Sequence, residues 1–228
     1  MDRKIFILFS IVVVFVLLIF YNLYSITTID KTIVESSLPK INKIIGKQTA
    51  LEVTQTASHP TGPFVSPIDR AGERVTKKTF GQFITPQNSP VQPEKFRGYH
   101  TGTDFEIFPE ELNADVSVKA VCDGKIALKK TATGYGGVLV ESCELDSQPV
   151  IVIYGHLKLA SIKKSTGDTL AQGEEIGILG KAYSAETSGE RKHLHLGIHK
   201  GAGVNILGYV QSKAGLSGWL DPVMNMSL

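Results

Sequence analysis

Three of the chain's six histidines fall in one short stretch, "HLHLGIHK", at positions 193, 195 and 199. Imidazoles gathered in this way can bind a metal or move protons. Read as a β-strand, the stretch puts His193, His195, Gly197 and His199 on one face and Leu194, Leu196 and Ile198 on the other. His193 and His195 would then lie about 6–7 Å apart along the strand, close enough for one to hold a metal while the other acts on what the metal activates. An H-x-H pair alone more often marks a partly exposed strand edge, but this one has company. Upstream, "YHTGTDFE" sets His100 and Asp104 four residues apart, and between the two motifs "VIYGHLK" carries His156. Zinc takes imidazole nitrogen and carboxylate oxygen in a tetrahedral shell, and a catalytic site leaves one of the four positions open. His100, Asp104 and one histidine of the pair supply three ligands, and two histidines remain to manage protons. The sequence contains no H-E-x-x-H motif and offers no glutamate as its general base.

The elements that must position these residues are short strands. From about residue 79 the chain reads "KTFGQFITP", "GTDFEIF", "VSVKAV", "GKIALKK", "GGVLVESC", "PVIVIYGHL" and "EIGILG" before the histidine run. Such β-branched or alternating runs punctuated by glycine, without an amphipathic stretch of helical length, predict an all-β domain of antiparallel hairpins. The leucines of the histidine strand should face a core and the imidazoles an open side. Cys122 and Cys143 sit in two runs joined through "TATGYGG", so a hairpin would bring them together. An oxidised pair would close a loop of about 20 residues, worth roughly 3 kcal/mol in the chain-entropy model.

Residues 1–25 differ from the rest. After "MDRK" the chain runs "IFILFSIVVVFVLLIFYNLY", a charge-free stretch whose only clearly polar members are Ser10 and Asn22. That is long enough for a bilayer-spanning helix and too long for the apolar core of a cleaved signal, so it is expected to be an uncleaved anchor. Arg3 and Lys4 ahead of it favour a cytoplasmic N-terminus and place the remainder outside the cytoplasm, where a disulfide can persist. Residues 26–78, rich in Thr, Ser, Pro and Gly toward their end, are read as a stem or linker, with His59 a solvated loop residue. The net charge of +2 comes from interspersed rather than clustered charges, which gives nucleic-acid binding no support.

H-x-x-x-D, then Y-x-H-L, then H-x-H, in that order and separated by glycine-rich hairpins, resembles the M23 peptidases, the LytM or lysostaphin-like zinc metalloendopeptidases. The resemblance covers roughly residues 79–223, through "GDTLAQGEEIGILG" and the late "WLDP", and bounds the expected domain at 79–228. It implies one zinc ion held by His100, Asp104 and His195, with His156 and His193 catalytic and an antiparallel groove for an extended peptide. It also implies a substrate, the peptide part of peptidoglycan, and a membrane-anchored enzyme suits that wall polymer. All five positions are filled, which counts against a degenerate member acting as a silent, wall-binding regulator of another hydrolase. A protein substrate is the further alternative. Departures lie at Lys192, where the family often has Pro or a small residue, and at Gly197, where Glu is common. The turn "KAYSAETSGERK" is also somewhat long. These touch the groove wall rather than the metal site. His199 matches no family position, and no tyrosine near a reacting carbonyl is assigned, Tyr99 being too weak a candidate.

Overall fold

The structure is a computed structural model that describes residues 64–227. The expected anchor (1–25), most of the expected stem and His59 lie outside the described residues. Among the described residues no helix is long and apolar enough to cross a membrane.

In chain order the strands are β1 (Phe64–Val65), β2 (Phe83–Ile84), β3 (Gly98–His100), β4 (Gly102–Glu106), β5 (Ser117–Lys119), β6 (Gly124–Ala132) and β7 (Gly136–Leu145). Then follow β8 (Gln148–Gly155), β9 (Thr169–Leu170), β10 (Glu175–Ile178), β11 (His193–Lys200), β12 (Tyr209–Val210), β13 (Trp219–Leu220) and β14 (Met226–Ser227). The one α-helix among the described residues, α1, is the four-residue turn Ala71–Arg74. The expected all-β, antiparallel architecture is therefore what the chain adopts.

The main sheet runs β13-β11-β8-β7-β6-β9, with β4 also paired to β11. β11 lies between β8 on one edge and β4 followed by β13 on the other. Its alternation works as period-2 geometry requires. Leu194, Leu196 and Ile198 are fully buried in a core shared with Phe105, Leu139, Val152 and Tyr154. The opposite face is not open, as the sequence reading expected, because a second apolar cluster of Tyr135, Val138, Val140, Ile151, Ile153 and Trp219 covers part of it. His193 and His195 are consequently almost fully buried. β7 and β8 carry apolar residues at successive positions, the pattern of strands covered on both faces.

The domain also begins earlier than the boundary at residue 79. β1 pairs in parallel with β14, Ile68 and Ala71 enter the core, and Arg74 donates to both carboxylate oxygens of Glu111. The proline and threonine content that marked this segment as linker describes its turns, while its few apolar side chains close the domain's edge.

Cys122 and Cys143 form the expected disulfide, with Cα atoms 6.2 Å apart. It ties the turn before β6 to β7.

Candidate metal centre

Three elements bring the site together. β3 carries His100, β4 carries Asp104, and β11 carries His193 and His195. The antiparallel register places His195 opposite Asp104 on one side and opposite Gly155 on the other. One residue beyond Gly155, the chain leaves β8 at His156 in a left-handed conformation, φ 63°. A non-glycine residue adopts this only when its surroundings impose it, and such strain is found where a side chain must be aimed. Here it directs His156 beside His193, with ring centroids 4.3 Å apart.

His100 Nε2 lies 3.1 Å from His195 Nδ1, His195 Nδ1 lies 3.2 Å from Asp104 Oδ1, and His100 Nε2 lies 3.4 Å from the same oxygen. All three side chains are buried. The remaining nitrogens of both imidazoles are occupied: His100 Nδ1 is 3.2 Å from the Thr79 carbonyl, to which it donates, and His195 Nε2 is 3.3 Å from Tyr135 Oη. The Thr79 carbonyl can only accept, so His100 carries its proton on Nδ1 and presents a lone pair at Nε2; the Tyr135 hydroxyl can accept from His195 Nε2, which would leave a lone pair on His195 Nδ1 as well. In that tautomer two bare nitrogens and a carboxylate oxygen face one another, an arrangement that a cation would join. A tetrahedral centre with bonds of about 2.0–2.1 Å sets its ligands roughly 3.3–3.4 Å apart, which is the spacing found here. The residues fit a metal ion.

Room for this packing comes from two glycines. A Cβ at Gly155 would stand 2.4 Å from the Tyr135 ring, and one at Gly102 would stand 2.8 Å from the His195 ring. Either would push the imidazole or its tyrosine partner out of place.

Burial controls the charge states. It pushes the His195 imidazole down to about 4 and the His156 imidazole well below its ordinary range, so both rings are neutral near pH 7. Burial alone would raise the Asp104 carboxyl, but His193 and His100 beside it outweigh that cost and hold it well below the usual carboxylate range. His193 donates from Nδ1 to the Arg191 carbonyl at 2.9 Å, and its Nε2 lies 3.3 Å from Asp104 Oδ2. Nδ1 of His156 has no hydrogen-bond partner among the described residues.

The five residues line a cavity of about 310 Å³, walled by Phe96, Ile206, Leu207 and Tyr209. Residues 98–206 match the family profile described as Peptidase family M23. The chain carries an M23 peptidase domain. Among solved structures it is similar to LytU (26% identity over 65% of this chain and 81% of that one, TM-score 0.44). It is also similar to the catalytic domain of the antimicrobial peptidase lysostaphin from Staphylococcus simulans (21% identity, 68% and 95% covered, TM-score 0.44). A zinc containing peptidase from Vibrio cholerae shows 23% identity, with 60% of this chain and 37% of that one covered, and a TM-score of 0.39. No curated protein matches the chain.

Within the M23 domain, all five residues singled out from the sequence meet in one place. His199 does not join them: it is half-buried, stacks edge-on against Trp219 at 4.8 Å, and its Nδ1 has no partner among the described residues. Sequence reasoning passed over three contributors. Tyr135, in the "TGYGG" turn, reaches His195 across the sheet; Tyr209 lies 5.1 Å from the His100 ring and accepts from the buried Lys78; Arg191, inside "GERKHLH", bonds Asp104. The signal for Tyr135 was a bulky residue set between turn glycines. For Arg191 it was a cation directly before a run that folds into the interior.

Proposed function

We propose that the chain is a zinc metalloendopeptidase of the cell envelope that hydrolyses peptide bonds of peptidoglycan, tethered to the membrane by residues 1–25 with its folded domain outside the cytoplasm. The observation that carries this reading is the convergence of His100 Nε2, Asp104 Oδ1 and His195 Nδ1 at 3.1–3.4 Å, with the His100 tautomer fixed from behind by the Thr79 carbonyl. It is supported by the M23 match and by a cavity large enough for a segment of extended peptide.

Zinc, when bound by these three residues, supplies Lewis acidity that polarises a peptide carbonyl and makes water a nucleophile near neutral pH. The proton traffic belongs to the other two histidines. His156, kept neutral by burial and with no partner at Nδ1 among the described residues, accepts a proton from the attacking water. His193 faces an oxygen acceptor at each ring nitrogen and so can hold a proton on each; it delivers one to the leaving amine. Fixed by the Arg191 carbonyl, its ring needs no reorientation between the two steps. Phe96, Ile206, Leu207 and Tyr209 give the cleft apolar walls, which strengthen the charge interactions beside them. The peptide would lie along the groove by main-chain hydrogen bonds.

The test is release of new amino groups from purified peptidoglycan by the full chain in detergent, with a protein substrate in parallel. Cleavage confined to the wall polymer and lost in His193→Ala with zinc still bound would support the proposal. Zinc binding without cleavage of either substrate would point instead to a regulator of another hydrolase.

A further inference from the structure

Neither the H-x-H motif nor the ligand triad calls for an arginine, yet Arg191 lies against both. Its side chain is 9% exposed. Nε donates to both oxygens of Glu106, at 3.0 and 2.9 Å, and Nη2 donates to Asp104 Oδ2 at 2.8 Å and to Glu106 Oε1. Glu106 stands two residues beyond Asp104 on the same face of β4, opposite His193 in register, and Lys77 Nζ is 3.4 Å from its other oxygen. A guanidinium taken out of water at this depth is tolerable only with such pairing. Because Glu106 cancels its charge, what the pair contributes to the centre is direction.

Direction matters for Asp104. A free carboxylate can turn about its last bond and present either oxygen, or both, to a cation. Here Oδ2 is held by the Arg191 fork and flanked by His193 Nε2, while Oδ1 alone meets His100 and His195. We infer that Arg191, braced by Glu106, is a positioning residue that commits Asp104 to the metal centre through Oδ1. The inference rests on the zinc reading above and adds to it a specific reason for the Arg–Glu pair. An ammonium could not do the same work, since it lacks the planar fork that spans two carboxylates.

The test is zinc affinity of the full chain in detergent, stripped with a chelator and then titrated against a chromophoric competitor, so that turnover does not enter. Losing a partner that orients a metal ligand typically costs about 10- to 100-fold in affinity. Arg191→Met should lose about that much, and Arg191→Lys should recover only part of it. Glu106→Gln, which keeps the arginine but removes its brace, should lose roughly 3- to 10-fold. The double variant Arg191→Met with Glu106→Gln should fall near the single Arg191→Met, because both act through one oxygen. Should Arg191→Met fail to fold, Glu106→Gln decides the matter alone. Affinities of Arg191→Met and Glu106→Gln within about twofold of the unsubstituted chain would overturn the positioning role and leave the zinc proposal standing. Failure of the unsubstituted chain to bind zinc would overturn both.

Discussion

Two carboxylates, Asp104 on β4 and Glu141 on β7, are equally buried in one sheet, at 2% and 0% exposure, yet one is held ionised and the other is pushed toward its neutral form. Asp104 is surrounded by His100, His193, His195 and Arg191, and is held ionised far below the usual range. Glu141 has a phenol and a disulfide beside it, no cation among the described residues draws it down, and Asp123 and Glu174 add like charge. Its Oε2 accepts from Tyr154 Oη at 2.6 Å, its Oε1 has no partner among the described residues, and burial pushes it up to about 8. Depth is therefore not what prepares a carboxylate to bind a cation; the neighbours decide. Cys122, Glu141 and Cys143 also bring three donors together, but both sulfurs are already joined to each other, so this second cluster offers no ligand set.

The largest way to break the contrast is Asp104→Asn, which keeps the shape and removes the charge. Zinc affinity should fall by about 10³-fold or more, measured by competition with a chelator, since a neutral amide replaces an anionic ligand and leaves Arg191 half-paired. His156→Ala should lower turnover by about 10²-fold or more while zinc affinity stays put, separating proton transfer from metal binding. At the other end of the sheet, Cys122→Ser with Cys143→Ser should lower unfolding stability by about 3 kcal/mol and leave zinc affinity unchanged.

The smallest effect concerns pH, and its sign differs between the two carboxylates. Glu141's folded value lies above its ordinary 4.5, so its contribution to stability is complete below about 4.5 and is lost as pH rises through about 8. Glu141→Gln should remove that alkaline loss, gaining about 1–2 kcal/mol at pH 9 and little at pH 5 in denaturant titrations of metal-free protein. The metal centre behaves oppositely. The folded values of Asp104, His156 and His195 are depressed, so their contribution is lost on acidification, for His195 between its ordinary 6.5 and about 4. A Glu141→Gln profile that still declined above pH 7 as steeply as the unsubstituted chain would break the comparison.

What could be read from the sequence is local in its geometry. Parity along "HLHLGIH" separates leucines from imidazoles, and H-x-x-x-D needs only a short turn between β3 and β4 to bring His100 and Asp104 together. The disulfide followed from one hairpin. What escaped depends on distant packing. Tyr135 meets His195 only because β7, β8 and β11 lie side by side and Gly155 leaves space for the ring. The covering of the imidazole face requires residues from β7, β8 and β13 at once, and period-2 reasoning on a single strand cannot see them. Residues 64–78 read as linker because their composition is that of turns, although β1 and Arg74 join partners more than thirty positions away.

The most direct test of the central claim is zinc stoichiometry measured together with amino-group release from purified peptidoglycan, on the full chain before and after chelation and after zinc is restored. One zinc per chain, with cleavage lost on chelation and regained with zinc, is the expected result. Cleavage that continues at full rate in zinc-free protein, or a chain that binds no zinc, would contradict it.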